Sequence, residues 1–371
     1  MFGHRERIPA GYFGFATLAF CQLLFPVSCV LSTFLKWYRE LLARMASPIS
    51  LLYQPLISRE LDGVPGAVAV FRRTHSSAEL FEAVTRFAIL AFTPSQHSRH
   101  SVLSCLAAYH LRADEKIEAD ELLIACARYA AQSRPPWSEP PITDPPRTEE
   151  GQRGDRAAID AAIDAGDRLG AEKWLALRMR EPRLEQELFE IAVMDLSDFG
   201  HKLIMTTAAV ELSRLMGEKG AYATLRLAPV EWTAFREEPV ETGTPRIEPR
   251  KLVENLIERL VSEKGDTIAF HALEMYDAAL TAVNLGADPS VEVRVRAHLE
   301  ELPAAAPAPD LEVVLDPPVY SLGRDYAEYL LATAIGRRMA NRFAGIAAER
   351  IARAARYNLE HGPSFEDWSF A

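Results

Sequence analysis

Three histidines occupy the same position in a sequence pattern that occurs three times in the chain. The copies are HSVLSCLAAYHL from His100, HKLIMTTAAVEL from His201 and HALEMYDAALTA from His271. In each copy Val or Leu follows the histidine two residues on, and Ala-Ala follows seven and eight residues on. Small residues one and two turns after a histidine let a neighbouring helix approach closely or leave room for a ligand. The pattern predicts three related helices whose imidazoles converge on one pocket.

Imidazole supports two kinds of chemistry. It transfers protons near neutral pH, and it binds zinc, iron or copper. Three convergent histidines with an open position form a catalytic metal site. The alternative is that a histidine in the first turn of a helix only hydrogen-bonds a backbone group or a capping carboxylate. His97 and His110 are weaker candidates, and structural roles are expected for the remaining histidines, His4, His75, His298 and His361.

Three acidic residues lie near these histidines in the sequence. Asp198 is expected to cap the His201 helix and orient its imidazole, and Glu211 lies ten residues after His201, near the same face. Glu274 lies one helical turn after His271. A carboxylate in such a position can hold one imidazole tautomer, although an ordinary surface position remains an alternative for Glu274.

The elements that carry these residues are predicted to be helices. Apolar residues recur at helical spacing in most of the chain, and sustained alternation of the strand type is missing. The sequence therefore predicts an all-α protein of roughly a dozen helices, a compact domain of irregular helix pairs joined by proline-rich crossovers. Only residues 311–315 resemble a strand, and residues 47–66 are mixed and turn-like.

Proline-rich stretches suggest how the chain is divided, because proline interrupts helices and central strands. The predicted parts, in order, are an apolar segment 1–46, a helical part 47–134, a crossover 135–154, a histidine-bearing helical part 155–303, and a link with C-terminal helices 304–371. The last part is rich in arginine, including Arg337, Arg338 and Arg342. A solvated helix face is expected there, with an anionic-ligand contact as the alternative.

Residues 8–35 carry no charge and are long enough to cross a bilayer. Basic residues follow at Lys36, Arg39 and Arg44, which would keep the rest of the protein in the cytoplasm. The segment is interpreted as a membrane anchor, as a cleaved signal peptide, or as an upstream extension before a start at Met45. A cytoplasmic protein, anchored only through this segment if it is retained, is the expectation.

Composition excludes several classes of function. The 371 residues include 49% hydrophobic and 25% charged residues, as in a globular protein. A net charge of -11 without a basic stripe argues against nucleic acid as the main ligand. The four cysteines form no Cys-x-x-Cys pair, which favours a reducing compartment. The sequence contains no glycine-rich phosphate loop, no HExxH, no GxSxG and no Glu-x-x-His.

Two of the histidine-led stretches resemble the questin oxidase-like family. HKLIMTTAAVE at His201 and FHALEMYDAAL at Phe270 are similar to that family's histidine helices, which continue with small residues and a glutamate. The resemblance implies a helical oxidoreductase that uses NADPH and O2 to oxidise a polycyclic aromatic ketone. It also implies that His201 and His271 lie at the site.

The leading hypothesis is an oxidoreductase for a small apolar or aromatic substrate, with His201 and His271 acting on a proton or a carbonyl and His100 as a third partner. NADPH is the cofactor that the resemblance implies. A metal held by the three histidines is one alternative. The other is a non-catalytic helical scaffold that binds a partner protein. The sequence leaves the oligomeric state open.

Overall fold

The chain folds as helices joined by turns and short irregular links, as predicted. The computed structural model describes residues 48–94, 96–112, 119–133, 145–147, 154–234, 243–260, 267–302, 324–346, 348 and 351, and these contain no strand. The helices are α1 (Pro48–Ser58), α2 (Val64–Arg72), α3 (Ser77–Leu90), α4 (Gln96–Leu111), α5 (Ala119–Ser133), α6 (Arg156–Ala165), α7 (Arg168–Arg178), α8 (Leu184–Ala192), α9 (His201–Met216), α10 (Glu218–Leu225), α11 (Leu227–Trp232), α12 (Pro249–Leu260), α13 (Thr267–Asn284), α14 (Ser290–Glu301) and α15 (Arg324–Arg342).

One stretch differs from the prediction. Residues 47–66 were expected to be turn-like, but α1 covers most of them and contains Pro55 in its interior. Leu52 and Leu56 of α1 are fully buried, so tertiary packing stabilises a helix that the local sequence does not favour. Most of the predicted crossover 135–154 and all of the strand-like residues 311–315 lie outside the described residues.

The ends of several helices follow from local hydrogen bonding. Ser76 and Glu79 form a capping box, in which each side chain bonds the backbone amide of the other residue. Asp155 caps α6 by accepting from the amide of Ala158, and Gly166 ends that helix with a φ of 63°. Glycine adopts this left-handed conformation at little cost.

Four helices form the part of the core that carries the histidines. Helix α15 packs along α4, α9 packs along α13, and further contacts between α4 and α9 and between α13 and α15 close the bundle. Helix α9 lies at its centre, with twelve of its sixteen residues buried. A helix buried on nearly every side needs no polar face, which explains why the sequence of α9 is apolar with little amphipathic character.

Helix α15 is held to α13 by charge. Nε of Arg338 lies 2.7 Å from Oδ2 of Asp277, and Nη1 of Arg342 lies 2.6 Å from Oδ1 of the same carboxylate. Asp277 is almost fully buried. The prediction of a solvated arginine face is therefore wrong for Arg338 and Arg342, because the helix turns both side chains towards a buried acid on its neighbour.

The membrane hypothesis concerns residues that the structure does not describe. Within the described ranges, each helix is too short or too polar to span a bilayer. Residues 8–35 fall outside those ranges.

Removal of the Asp277 carboxylate tests how much these ion pairs contribute. We expect Asp277→Ala to lower the free energy of unfolding by about 2 kcal/mol, because two guanidinium groups lose their counter-charge. This value lies below the range of about 3–5 kcal/mol for fully buried pairs, since both arginine side chains are about one-fifth exposed. Urea unfolding followed by circular dichroism measures the change.

The matched control is Glu254→Ala, which removes an exposed i,i+4 pair with Arg250 on α12. Surface pairs contribute about 0–1 kcal/mol, so this variant should unfold almost like the parent. Equal losses in the two variants would show that the Asp277 pairs do not hold α15 in place.

Candidate functional site

The structure brings His100, His201 and His271 together. They come from α4, α9 and α13, and their side chains are almost fully buried. The ring centroids are 6.1 Å apart for His100 and His201, 5.7 Å for His100 and His271, and 5.4 Å for His201 and His271. The three copies of the sequence pattern therefore direct their imidazoles to one point in the core.

A carboxylate completes this group. Glu274 is buried one turn after His271, and each of the four residues offers a ligand atom such that all four atoms lie within 4.8 Å of one another. The sequence left open whether Glu274 lies at the surface, and the structure places it at the histidines. We refer to His100, His201, His271 and Glu274 as the histidine–glutamate cluster.

The tautomer of His201 is set by a backbone contact. Its Nδ1 lies 2.6 Å from the carbonyl oxygen of Asp198, and a carbonyl only accepts, so Nδ1 carries the proton. Burial, together with the electrostatic effects of Arg99 and His271, lowers the pKa of His201 to about 4, against the opposing effect of Asp198. The ring is therefore neutral at pH 7, and its Nε2, which has no hydrogen-bond partner, has a lone pair available.

Glu274 orients His271 in a similar way. Its Oε2 lies 3.2 Å from Nδ1 of His271, while its Oε1 is buried and has no hydrogen-bond partner. Burial raises the pKa of Glu274, but the hydrogen bond from His271 and the nearby histidines outweigh burial and bring the pKa below its usual value. One oxygen of the ionised Glu274 carboxylate is thus buried in the cluster without a partner of its own. Buried polar atoms of this kind commonly mark a site for an ion or ligand.

A strained turn immediately before α9 supports the cluster. Asp198, Phe199 and Gly200 all have positive φ angles, of 47°, 55° and 73°. This turn places the Asp198 carbonyl at His201 and stacks the Phe199 ring on His271, with centroids 5.0 Å apart. Non-glycine residues with such angles are uncommon and cluster at functional sites.

Arg99 joins this turn to α4. Its Nη2 lies 2.8 Å from Oδ2 of Asp198 and 2.5 Å from Oε1 of Glu231, which is also buried. The expectation that Asp198 caps α9 with its side chain is wrong, because that side chain pairs with Arg99 instead. The contact of Asp198 with Nδ1 of His201 within hydrogen-bond distance comes from its backbone carbonyl. Because Arg99 precedes His100 directly, one guanidinium fixes the positions of two of the three histidine segments.

Other predicted residues lie elsewhere. His110 is 2.8 Å from Glu211 through its Nε2, away from the cluster. His298 is buried on α14, where burial lowers its pKa, and the side chain of His97 lies outside the described set.

Sequence reasoning missed Arg99 and Phe199. Their only signal is that each lies within two residues of a repeated histidine.

The cluster has the donor atoms of a transition-metal site. Imidazole nitrogen and carboxylate oxygen together suit first-row metals such as iron, manganese, cobalt or zinc. Four ligands around a metal with bonds of about 2.1 Å would lie about 3.4 Å apart, so binding would draw the present atoms together by small side-chain rotations. The backbone contact on Nδ1 of His201 is of the kind that metal-bound histidines usually have.

Comparison with known proteins gives no relative: no family model, curated protein or solved structure matches the chain.

The strained turn yields a testable prediction at Gly200. A Cβ there would lie 2.6 Å from Cγ of Met275, whose backbone adjoins Glu274. We expect Gly200→Ala to lower the free energy of unfolding by about 2–4 kcal/mol, which combines about 1 kcal/mol for the left-handed backbone with the cost of overpacking. Urea unfolding measures the change.

Gly166→Ala is the matched control, since Gly166 has a similar φ of 63° and only an ordinary contact at 3.6 Å. It should lose only the backbone contribution of about 1 kcal/mol. If Gly166→Ala were as destabilising as Gly200→Ala, the close packing of Met275 against the turn would not matter.

Proposed function

We propose that this protein is a metal-dependent oxidoreductase whose metal ion is held by His100, His201, His271 and Glu274. One observation carries the proposal: three imidazoles and one carboxylate, from helices far apart in the sequence, place their ligand atoms within 4.8 Å in a buried space. Burying four ionisable groups together is costly unless they are paired or bind a metal. A divalent cation would compensate the charge of Glu274 and use the open Nε2 of His201.

The donor set favours a redox metal. Structural zinc sites are closed, four-coordinate and usually built with cysteine thiolates, whereas both described cysteines, Cys105 and Cys126, are absent from the cluster. Iron, manganese and cobalt commonly take more than four ligands, so three imidazoles and a carboxylate leave positions open for a reactant. These metals also change oxidation state, which is the basis for proposing an oxidoreductase.

A structural zinc site is the second candidate. The complete burial of the cluster and its four protein ligands favour it, because a closed tetrahedral site has no need of solvent access. The identity of the metal separates the two candidates.

The scaffold hypothesis required the three histidines to lie far apart along an open array. Their ring centroids are instead 5.4–6.1 Å apart, and this closeness supports the enzyme hypothesis over the scaffold. The proposal therefore follows the enzyme hypothesis.

The substrate and NADPH remain predictions that the resemblance alone supplies. Glu274 borders a cavity of about 40 Å³. Benzene occupies a cavity of about 150 Å³, so a polycyclic aromatic ketone would need space other than this cavity. The cavity suits a much smaller reactant of the metal.

The side chains around the ion have distinct roles in this proposal. His201 would present Nε2 to the ion, because its Nδ1 is engaged by the carbonyl of Asp198. The metal would supply the redox change. Burial would keep bulk water away from it and strengthen each electrostatic contact.

Metal analysis tests the proposal directly. Protein purified with a tag free of histidine and without chelators should contain about one iron, manganese or cobalt per chain by mass spectrometry. Each of His201→Ala, His271→Ala and Glu274→Gln should weaken metal binding by at least about tenfold, since loss of even an outer contact costs that much. The parent should oxidise NADPH with added quinones, and these variants should not.

His298→Ala is the control, because it removes a buried histidine outside the cluster. It should keep its metal. Stoichiometric zinc without oxidoreductase activity would favour the structural alternative, and protein that binds no metal after reconstitution would remove the proposal.

A further inference from the structure

Arg99 lies next to the histidine–glutamate cluster without offering a ligand atom to it. Its side chain is 4% exposed, and it binds Glu231 through two hydrogen bonds, from Nε to Oε2 at 3.1 Å and from Nη2 to Oε1 at 2.5 Å. Nη2 also lies 2.8 Å from Oδ2 of Asp198. A paired contact of this kind fixes the plane of a guanidinium as well as its position. Arg99 therefore joins α4, α11 and the turn before α9 at one fixed point.

Helix α11 is a firm anchor for this guanidinium. Glu231 is 1% exposed, and the adjacent Trp232 is equally buried. Nε1 of Trp232 donates to Oγ1 of Thr206 on α9 at 3.0 Å, so α11 is attached to the helix that begins at His201. The carboxylate that holds Arg99 thus has a defined position relative to the cluster.

The turn before α9 connects this fixed point to two histidines. Its φ angles of 47° at Asp198 and 55° at Phe199 are unfavourable, and such angles persist only where surrounding contacts enforce them. The ion pair with Arg99 is one of these contacts. Relaxation of the turn would withdraw the Asp198 carbonyl from Nδ1 of His201, which lies 2.6 Å away. It would also withdraw the Phe199 ring from His271, on which the ring stacks with centroids 5.0 Å apart.

We propose that Arg99 is a positioning residue of the metal site. Through Asp198 it holds the turn in the conformation that orients His201 and His271. As the residue before His100, it also fixes the start of the third ligand segment. This inference rests on the metal site of the proposed function. It predicts that an ion is bound more weakly and in an altered geometry when the guanidinium is lost, although all four ligands remain.

Cobalt titration of the full chain tests this role, because the visible absorption of bound Co²⁺ reports the geometry of its ligands. The probe is Co²⁺ alone, added to protein from which a chelator has removed any metal. Arg99→Met should bind Co²⁺ about tenfold or more weakly than the parent, since loss of an outer contact typically costs about 10–100-fold in affinity. At saturation its absorption spectrum should differ from that of the parent, because the ligands are present but less well oriented.

Arg226→Met is the matched control. Arg226 and Glu172 form a pair at 2.9 Å with side chains 5% and 2% exposed, against 4% and 1% for Arg99 and Glu231, and neither belongs to the cluster. The control also loses a buried charge and should unfold at lower urea concentration, yet it should keep the parental affinity for Co²⁺ and the parental spectrum. Equal losses of affinity in the two variants would show a general loss of packing and would overturn the inference.

Asp198→Asn tests whether Arg99 acts through the turn, and it does so even if Arg99→Met fails to fold. It keeps the backbone carbonyl, and asparagine tolerates a positive φ, but it lacks the charge that pairs with Arg99. It should bind Co²⁺ about tenfold more weakly than the parent. The double variant should bind no more weakly than the weaker single variant, because both changes remove the same contact.

The other outcomes separate this inference from the metal site itself. Losses of affinity that multiply in the double variant would mean that Arg99 acts independently of the turn, which contradicts the inference. Parental affinity and spectrum in Asp198→Asn would also contradict it and leave the metal site standing. A parent protein that binds no Co²⁺ would remove both the metal site and the role of Arg99.

Discussion

The cost of burying ionisable groups governs this structure. The four-helix core holds three imidazoles, several carboxylates and several arginines in a space from which water is largely excluded, and each group needs a counter-charge or a hydrogen-bond partner there. Asp277 receives two arginines from α15, and Glu231 receives Arg99 from α4. In the histidine–glutamate cluster this compensation is incomplete, because Oε1 of Glu274 and Nε2 of His201 have no hydrogen-bond partner. These two atoms belong to a group of four potential metal ligands, which is the physical reason for assigning a ligand to it.

The helices and the convergence of the histidines were accessible from the sequence. Helical spacing of apolar residues predicted an all-α protein, because burial of one face of a helix requires that spacing. The threefold pattern predicted one pocket, because three similar helices that pack together bring their equivalent residues, here the histidines, to the same place.

The remaining parts of the site depend on long-range or conformational information that local patterns do not contain. Arg99 pairs with Glu231 across 132 positions of the chain, and no spacing rule links two such residues. The positive φ of Phe199 is also unexpected for an aromatic residue, since glycine is the usual choice. Burial of Glu274 could not be deduced from its i+3 relation to His271, because the same spacing is common on solvated faces. Helix α1 was missed because Pro55 lies inside it.

The position of α15 in the chain has a consequence for how the site is assembled. All four residues of the cluster lie at or before position 274, whereas α15, which supplies Arg338 and one wall of the cavity, begins at Arg324. Synthesis proceeds from the N-terminus, so the nascent chain contains the four cluster residues before α15 is made. On the proposed function, a metal ion would therefore meet all four of its ligands in the chain before α15 covers this side of the bundle.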